Sequence, residues 1–406
     1  MFGDSIKNIL TVDSLPSGSQ STPPSEPPAS TNPRSRSGFI PALDGLRGIA
    51  VILVLLHHLT IYRPTEGFHQ WVAVVPLLGW VGVDLFFVLS GFLITGLLID
   101  ARGGERYFSS FYARRTLRIF PLYYLVLFLA LVVLPNFPAV HRVLVGPYPL
   151  PPLLPYWLYL TNFSIADRGL VHGLLDVAWS LAIEEQFYLL WPVVIWVCPP
   201  RLVGWLCAVI IFAEPLARWY GLSRGLDPLA VYVLPWFRLD GLATGAIVAW
   251  LLRRGHLPEL SRWAPLAAFA GLGGFAAIVV ESGDSWWWQP LIQKVGYSLI
   301  ALVGAAALVR ALQGQADSLW PRMLSAGWLR AFGKYSYCLY LTHLAVMRAV
   351  REYVFDPNEI AMLSESPWIG QSLFYAAVTA PSFALAWVSW RVFEAPILVL
   401  KARFPY

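Results

Sequence analysis

The chain of 406 residues has few charged residues and only three cysteines. Asp, Glu, Lys and Arg make up 13% of it and hydrophobic residues 57%, a balance that excludes an ordinary soluble domain. Cys198, Cys207 and Cys338 lie in apolar stretches, so neither a disulfide framework nor a thiolate metal site is indicated. No histidine spacing typical of a metal site occurs either, and we expect no metal. The composition instead indicates a protein that crosses a membrane several times.

Long apolar runs recur along the chain, each near the length that crosses a hydrocarbon layer. We predict an all-α membrane bundle of ten transmembrane helices, or eleven if the short, proline-led stretch 151–165 also crosses. Residues 39–400 would form one membrane domain, followed by a short cytoplasmic C-terminus, 401–406. The ten predicted spans are 46–63, 77–99, 119–135, 183–198, 203–217, 230–252, 263–281, 294–311, 335–350 and 370–397.

Residues 1–38 contrast with the rest, being rich in Ser, Pro and Thr with little to bury. We predict a disordered tail. Its apolar run, 9–12, is too short for a secretory signal, so the tail is expected to stay in the cytoplasm. With ten spans, Lys and Arg are in excess on the side of the amino end, which predicts both termini in the cytoplasm. The net charge of +5 then reflects topology and an anionic lipid or cofactor rather than nucleic acid.

Arg47 and His58 are separated by eleven residues in the first predicted span. About three helical turns bring them onto one face, about 16 Å apart along the axis. If Arg47 marks the membrane surface, His58 lies near the bilayer midplane, where an ionisable residue indicates function. His57 is the alternative, but the arginine spacing favours His58. A neutral imidazole in such a site suits a general base.

Arg114, Arg115 and Arg118 form the densest basic cluster, at the start of the third predicted span. Two guanidinium groups three residues apart share one side of a helix and suit phosphate groups bidentately. A positive anchor at the inner membrane surface is the alternative. The histidine on a neighbouring span favours the binding role.

Several acids lie within apolar stretches, where a carboxylate needs a partner. A structural ion pair is the more common role for each of them than catalysis. Asp44 precedes Arg47 by three residues and could pair with it. The adjacent Glu184 and Glu185 point to different faces, so at most one is expected to line a site. The acids concerned are Asp44, Asp84, Glu184, Glu185 and Asp240.

Three further features are ambiguous from the sequence. His343, in the ninth predicted span, could bind an acceptor, orient His58 or cap a carbonyl group. Ser90 beside Gly91 is better explained by helix packing than by a nucleophile. The run 286–288 is three tryptophans, for which membrane anchoring is favoured over stacking on sugars.

Seven blocks of sequence follow one another along the chain: 43–48 with His58, 82–95, 111–123, 179–188, 238–241, 335–343 and 393–396. In this order they resemble the motifs of the acyltransferase 3 family of integral membrane acyltransferases, which includes bacterial polysaccharide O-acetyltransferases. The resemblance covers about residues 39–400. One departure is Ala395, where the family commonly has a basic residue.

The resemblance implies transfer of an acyl group, often acetyl, from cytoplasmic acyl-CoA to a hydroxyl of a glycan or glycolipid, in a bacterial inner membrane. It maps the family's Arg and His onto Arg47 and His58, and its RxxR motif onto Arg115 and Arg118. Tyr337, in the sixth block, is expected to support the site or line it. Some relatives continue into a soluble esterase-like domain, and we expect none here.

The expected chemistry is therefore His58 as base, with the cofactor's phosphates at Arg114, Arg115 and Arg118 and the pantetheine arm reaching inward. Arg47 would steady the phosphates or the upper part of the arm. The alternative is a transporter that uses the same buried groups as a proton or substrate path. No internal repeat typical of a transporter is visible. A non-catalytic flippase or receptor is a second alternative and would be indifferent to acyl-CoA.

Overall fold

The structure is a computed structural model that describes residues 40–62, 74–144, 152–170, 173–313, 319–364 and 366–406. These residues form helices and contain no β-strand, as predicted. The predicted tail, 1–38, lies outside the described residues.

Within the described ranges, ten helices have 15 residues or more, and each overlaps one predicted span. They are α1 Pro41–Leu59, α2 Val81–Ala101, α3 Tyr107–Phe128, α4 Ala178–Val197, α5 Val203–Ser223, α6 Leu239–Arg253, α7 Leu257–Ser282, α8 Tyr297–Leu312, α9 Gly327–Tyr353 and α10 Pro367–Ser389. The helical path of α10 continues through 390–403.

Eight helical stretches of the described chain are long and apolar enough to cross a membrane, which makes this an integral membrane protein. The other two are α6, which has 15 residues, and α9, which is much more polar. The predicted number of ten spans is therefore not established by length and hydropathy. The segment 151–165, a possible eleventh span, instead contributes two short helices, Leu153–Trp157 and Thr161–Arg168, neither of which can cross a bilayer.

Helix α2 lies at the centre of the bundle and packs against α1, α4, α6 and α8. It is apolar on all sides, as expected of a helix surrounded by protein. Of its most apolar window, 72% is buried, against 11% for the last span. Most of the apolar surface of the last span therefore lies on the outside of the bundle. Helix α2 lies inside it and packs against the helices that contain His58, Glu184 and Asp240.

Helices α1 and α9 approach each other closely through glycines. A Cβ at Gly48 would collide with the carbonyl oxygen of Leu329, and one at Gly333 with that of Asp44. Small residues permit such backbone contact between membrane helices. The two helices run in the same direction, which brings Arg47 beside Ser336 at one end and His58 beside His343 at the other. We call these the arginine end and the histidine end.

The first helix ends earlier than predicted. Thr60 is extended, and the side chain of Gln371 takes over the free backbone groups: its Oε1 accepts from the N–H groups of Ile61 and Tyr62, and its Nε2 donates to the Leu59 carbonyl. His58 consequently lies in the last turn of α1. Its depth in the bilayer stays a prediction.

The fifth predicted span, 203–217, ended just before Arg218 and so left this residue outside the bundle. Arg218 is instead fully buried in α5, which continues to Ser223. Its guanidinium donates to Asp240 Oδ2 at 2.9 Å, to Ser298 Oγ at 2.7 Å and to the Phe237 carbonyl at 2.9 Å. A charge with this many partners can stay inside the bundle.

Candidate active site

The centre of the site is a pair of histidines from α1 and α9. His58 Nδ1 and His343 Nε2 are 3.0 Å apart, and the ring centroids are 4.9 Å apart. His343 is fully buried, whereas His58 is partly exposed. These residues are 285 positions apart in sequence and meet because α1 and α9 are parallel neighbours.

Hydrogen-bond partners assign the tautomers of the pair. His343 Nδ1 is 3.0 Å from the carbonyl oxygen of Leu339, which can only accept, so Nδ1 carries a hydrogen. In neutral His343 the other nitrogen, Nε2, then has the lone pair and accepts a hydrogen bond from His58 Nδ1–H. His58 also has a hydrogen bond with the backbone of Val54, one turn earlier. In the tautomer that donates from Nδ1, His58 Nε2 keeps its lone pair. A fixed imidazole with one free basic nitrogen is what a general base requires.

His57 is oriented differently. Its Nδ1 donates to the Leu77 carbonyl at 2.8 Å, and its ring lies edge-on to that of Trp286, with centroids 5.5 Å apart. It therefore has no part in the hydrogen bond between His58 and His343.

His58 borders a cavity of about 270 Å³, the histidine cavity. The walls come from α1, the start of α2, the start of α4, α9 and three connections at the histidine end. Its lining residues are Val54, His57, His58, Trp80, Val83, Leu170, Gly173, Asp176, Val177, Trp179, Tyr232, Trp287, Tyr340, Leu344, Met347 and Arg348.

A second, narrow cavity of about 70 Å³, the arginine cavity, lies on the other side of Val83 and Tyr340, which line both. Its walls are Arg47, Val83, Phe86, Phe87, Ser180, Leu181, Glu184, Ser336, Tyr337 and Tyr340. Tyr340 Oη and Ser180 Oγ are hydrogen-bonded at 2.6 Å. Tyr340 thus stands between the space beside Arg47 and the space beside His58.

The three arginines of α3 have different surroundings. Arg114 donates to the carbonyls of Lys401 and Phe404. Arg118 forms an ion pair with Glu394, N to O 3.3 Å, and Arg115 lies over the ring of Tyr188 at 4.9 Å.

These arginines belong to a cluster of like charge. Lys401 interacts electrostatically with all three of them and with Arg47. Such a concentration of positive charge, with only part of it neutralised by Glu394, favours an anionic ligand. The residues present therefore fit a phosphate-bearing donor at the arginine end.

Glu184 and Glu185 diverge as expected of adjacent helical residues. Glu184 lines the arginine cavity and accepts a hydrogen bond from Tyr188 Oη at 3.2 Å, and Tyr188 is in turn hydrogen-bonded to Ser90. Glu185 is outside that cavity, and its Oε1 has no hydrogen-bond partner within the described part of the chain. Ser90 is thus engaged with a tyrosine and not with His58.

The remaining acids are held away from the histidines. Asp84 pairs with Arg238 at 2.8 Å and Asp240 with Arg218 at 2.9 Å, all four side chains being buried. Asp44 and Arg47 interact at longer range without a salt bridge. In the two buried pairs each carboxylate has the partner that burial requires, which is a structural role.

Tyr337, by contrast, lines the arginine cavity, and its hydroxyl donates to the Ile119 carbonyl at 2.8 Å. It therefore ties α9 to α3 at the arginine end. Within the described residues no group of three His, Cys, Asp or Glu side chains is placed to hold a metal ion.

Sequence reasoning missed Tyr340, Arg218 and Arg238 as residues that shape the site. Tyr340 lies in the motif 335–343 but had no separate signal. Arg218 followed directly after the predicted span 203–217, and Arg238 lay inside the predicted span 230–252 and the motif 238–241. Their acidic partners were the better clue.

A membrane helix bundle with a hydrogen-bonded histidine pair beside one internal cavity, and a basic cluster at the opposite end, has the layout of a membrane-embedded group-transfer enzyme. Comparison with known proteins is consistent with this class. The model of the acyltransferase 3 family, described as an acyltransferase domain, matches residues 40–391, and the chain belongs to this family.

Two named relatives are similar over most of the chain. The peptidoglycan O-acetyltransferase OatA of Listeria monocytogenes is 28% identical over 377 residues, covering 88% of this chain and 56% of the relative. The O-acetyltransferase OatA of Staphylococcus aureus is 30% identical over 344 residues, covering 78% and 52%. The chain thus spans about half the length of these relatives. No solved structure matches.

Proposed function

We propose that the protein is an O-acyltransferase that moves an acetyl group from acetyl-CoA to a hydroxyl of a cell-wall glycan, with His58 as general base. The observation that carries this proposal is the 3.0 Å contact of His58 Nδ1 with His343 Nε2 beside the histidine cavity. It favours the tautomer of His58 in which Nε2 has the lone pair. Family membership and the names of the relatives support acyl transfer over the alternative of a transporter.

In this proposal the arginine end faces the cytoplasm of a bacterial inner membrane. The described chain begins at Ile40, close to Arg47, and its last residues contact Arg114, which supports both termini on that side. Acyl-CoA is cytoplasmic and its phosphates cannot enter hydrocarbon, so they require the cationic surface that Arg115, Arg118 and Lys401 provide. Arg47 lies further in, where it can contact the arm of the donor.

The acyl group would pass from the arginine cavity to the histidine cavity beside Tyr340. Because Tyr340 and Val83 line both cavities, rotation of one tyrosine side chain could join them. The donor thioester then meets the acceptor hydroxyl next to His58, while the charged phosphates remain outside the bundle.

At His58 the proposed step is direct transfer. Nε2 takes the proton of the acceptor hydroxyl as its oxygen attacks the thioester carbonyl. The carbon–sulfur bond then breaks, the ester forms, and the leaving thiolate receives the proton from the imidazolium. His343 stabilises the imidazolium through the hydrogen bond on Nδ1, the role that a third group plays for the base of a catalytic triad.

The test is acetyl transfer from radiolabelled acetyl-CoA to glycan in membranes that contain the protein. We expect His58→Ala to lower the rate of transfer about 10²–10⁴-fold, which is the usual contribution of a general base. His256→Ala is the control and should retain the rate, since His256 is exposed beside Glu259 and lines neither cavity. Equal rates for His58→Ala and the wild type, at equal amounts of folded protein, would remove His58 from the mechanism.

A further inference from the structure

The histidine cavity has an aromatic wall opposite the apolar side chains of α9. The rings of Tyr232 and Trp287 are stacked, with centroids 4.3 Å apart and planes 22° apart, and Trp179 lies 4.6 Å from Tyr232. All three line the cavity that His58 borders. They come from three separate parts of the chain, so the wall exists only in the folded bundle.

Buried residues on the side away from the cavity fix the rings of this wall in place. The buried Arg238 lies over Tyr232 at 5.0 Å and over Trp179 at 5.8 Å, and it is fixed by its ion pair with Asp84. Tyr297 Oη donates to the backbone carbonyl of Trp287 at 2.7 Å. Because the rings are already ordered, a ligand that stacks on them loses little entropy by ordering the protein.

Aromatic and polar groups face the same space. Asp176 and Arg348 line the cavity together with His57 and His58. A pyranose ring has an apolar C–H face, which suits an aromatic wall, and a rim of hydroxyls, which suits polar side chains. A long apolar acyl chain would bind unfavourably here, because it would bury the carboxylate and the guanidinium of the lining without offering them a hydrogen bond. The volume, about 270 Å³, is just below the range of about 300–1,000 Å³ for drug-sized ligands and suits one sugar ring with part of its neighbour.

We propose that Trp287, held in place by stacking on Tyr232 with Trp179 packed against Tyr232, is the platform on which one pyranose ring of the glycan acceptor stacks, presenting a hydroxyl to His58 Nε2. This inference rests on the proposed function and adds the acceptor subsite to it. It also assigns different roles within the run 286–288. Trp287 belongs to the platform, whereas Trp286 and Trp288 stack on each other with centroids 4.7 Å apart.

The test uses the full chain in detergent and a peptide-free tetrasaccharide from peptidoglycan as the probe, titrated by calorimetry without a donor. We expect saturable binding to the wild type and a Kd about tenfold higher for Trp287→Ala, equivalent to about 1.4 kcal/mol. Trp287→Phe keeps an aromatic face and should stay within about threefold of the wild type. Trp288→Ala, the matched control, should leave the Kd unchanged.

Activity supplies an independent readout. With acetyl donor saturating, Trp287→Ala should raise the KM for the tetrasaccharide and leave kcat largely unchanged, since stacking stabilises ground state and transition state alike. A change in the preferred acyl length, with the KM for glycan unchanged, would assign the wall to the acyl chain and overturn the proposal. Absence of saturable binding to the wild type would overturn it as well.

His58→Ala separates this inference from the proposed function. The variant keeps the platform and loses one hydrogen bond to the acceptor hydroxyl. It should still bind the tetrasaccharide saturably, with a Kd within about tenfold of the wild type, while losing transfer. If transfer is lost in His58→Ala but the Kd is the same in Trp287→Ala and wild type, the platform is refuted and the base assignment stands. If Trp287→Ala weakens binding while His58→Ala still transfers, the base assignment is refuted and the platform stands.

Discussion

Replacement of His343 tests whether the second histidine positions the first. Leucine at this position has a similar size but cannot accept the hydrogen bond from His58 Nδ1–H. His58 would then be free to rotate or to adopt the other tautomer, in which Nε2 carries the hydrogen and cannot act as a base. Glutamine can place an acceptor oxygen near the position of Nε2 and should restore part of the function.

The expected magnitude follows from the geometry. One hydrogen bond, at 3.0 Å, fixes the tautomer and stabilises the imidazolium as it forms. Hydrogen bonds to charged groups contribute about 1.5–3 kcal/mol, and each 1.36 kcal/mol is a factor of ten in rate. We therefore expect His343→Leu to lower kcat about 10- to 200-fold and His343→Gln to recover part of that loss.

The assay is steady-state acetyl transfer in membranes, with donor and acceptor varied separately. A positioning role predicts a lower kcat with both KM values near those of the wild type, because neither substrate contacts His343. His343 is fully buried, so protein quantity and thermal stability are measured in parallel. Full kcat in a folded His343→Leu protein, or equal losses in the Leu and Gln variants, would refute the tautomer argument.

Three other predictions concern the donor, the helix contact and the buried charges. Arg115→Ala with Arg118→Ala should weaken acetyl-CoA binding at least tenfold because two phosphate partners are lost. Titration measures this, with Arg253→Ala as the control because its ion pair with Asp100 lies elsewhere. Equal affinities of the double variant and the wild type would exclude a phosphate site. Gly333→Ala places a methyl group against the Asp44 carbonyl and should lower the free energy of unfolding by about 1–3 kcal/mol; an unchanged thermal midpoint in detergent would contradict the close contact of α1 and α9. Arg238→Leu leaves Asp84 buried without its partner and should destabilise the protein by about 3–5 kcal/mol; the double variant with Asp84→Asn should recover part of this, and no recovery would mean that the ion pair is not the cause.

The helical class and the placement of most helices could be predicted from the apolar runs, because the membrane requires about 20 apolar residues for each crossing. The shared face of Arg47 and His58 also follows from helical periodicity alone. The end of α1 did not follow, since it depends on Gln371, a residue more than 300 positions away. Arg218 was misplaced for a related reason: a charged residue after an apolar run resembles the start of a loop unless its partners Asp240 and Ser298 are known.

The site itself was predictable only in part. The motif 335–343 pointed to His343 but left three roles open, and the choice between them needs the hydrogen bonds to Leu339 and His58. Tyr340, which lines both cavities, and the aromatic wall both depend on contacts between parts of the chain that are distant in sequence. Trp287 shows this most clearly, because its neighbours in the run 286–288 lie outside the cavity wall and the sequence does not distinguish the three tryptophans.

The most direct test of the path from donor to base is an experimental structure with an unreactive acetyl-CoA analogue bound. We expect the phosphates at Arg115 and Arg118 and the pantetheine arm beside Tyr340. The acyl carbon should lie in the histidine cavity, with space next to His58 Nε2 for a hydroxyl oxygen about 3–3.5 Å from that carbon. An analogue whose acyl group stays at the arginine end, with Tyr340 still bonded to Ser180 and no opening toward His58, would contradict transfer at this histidine.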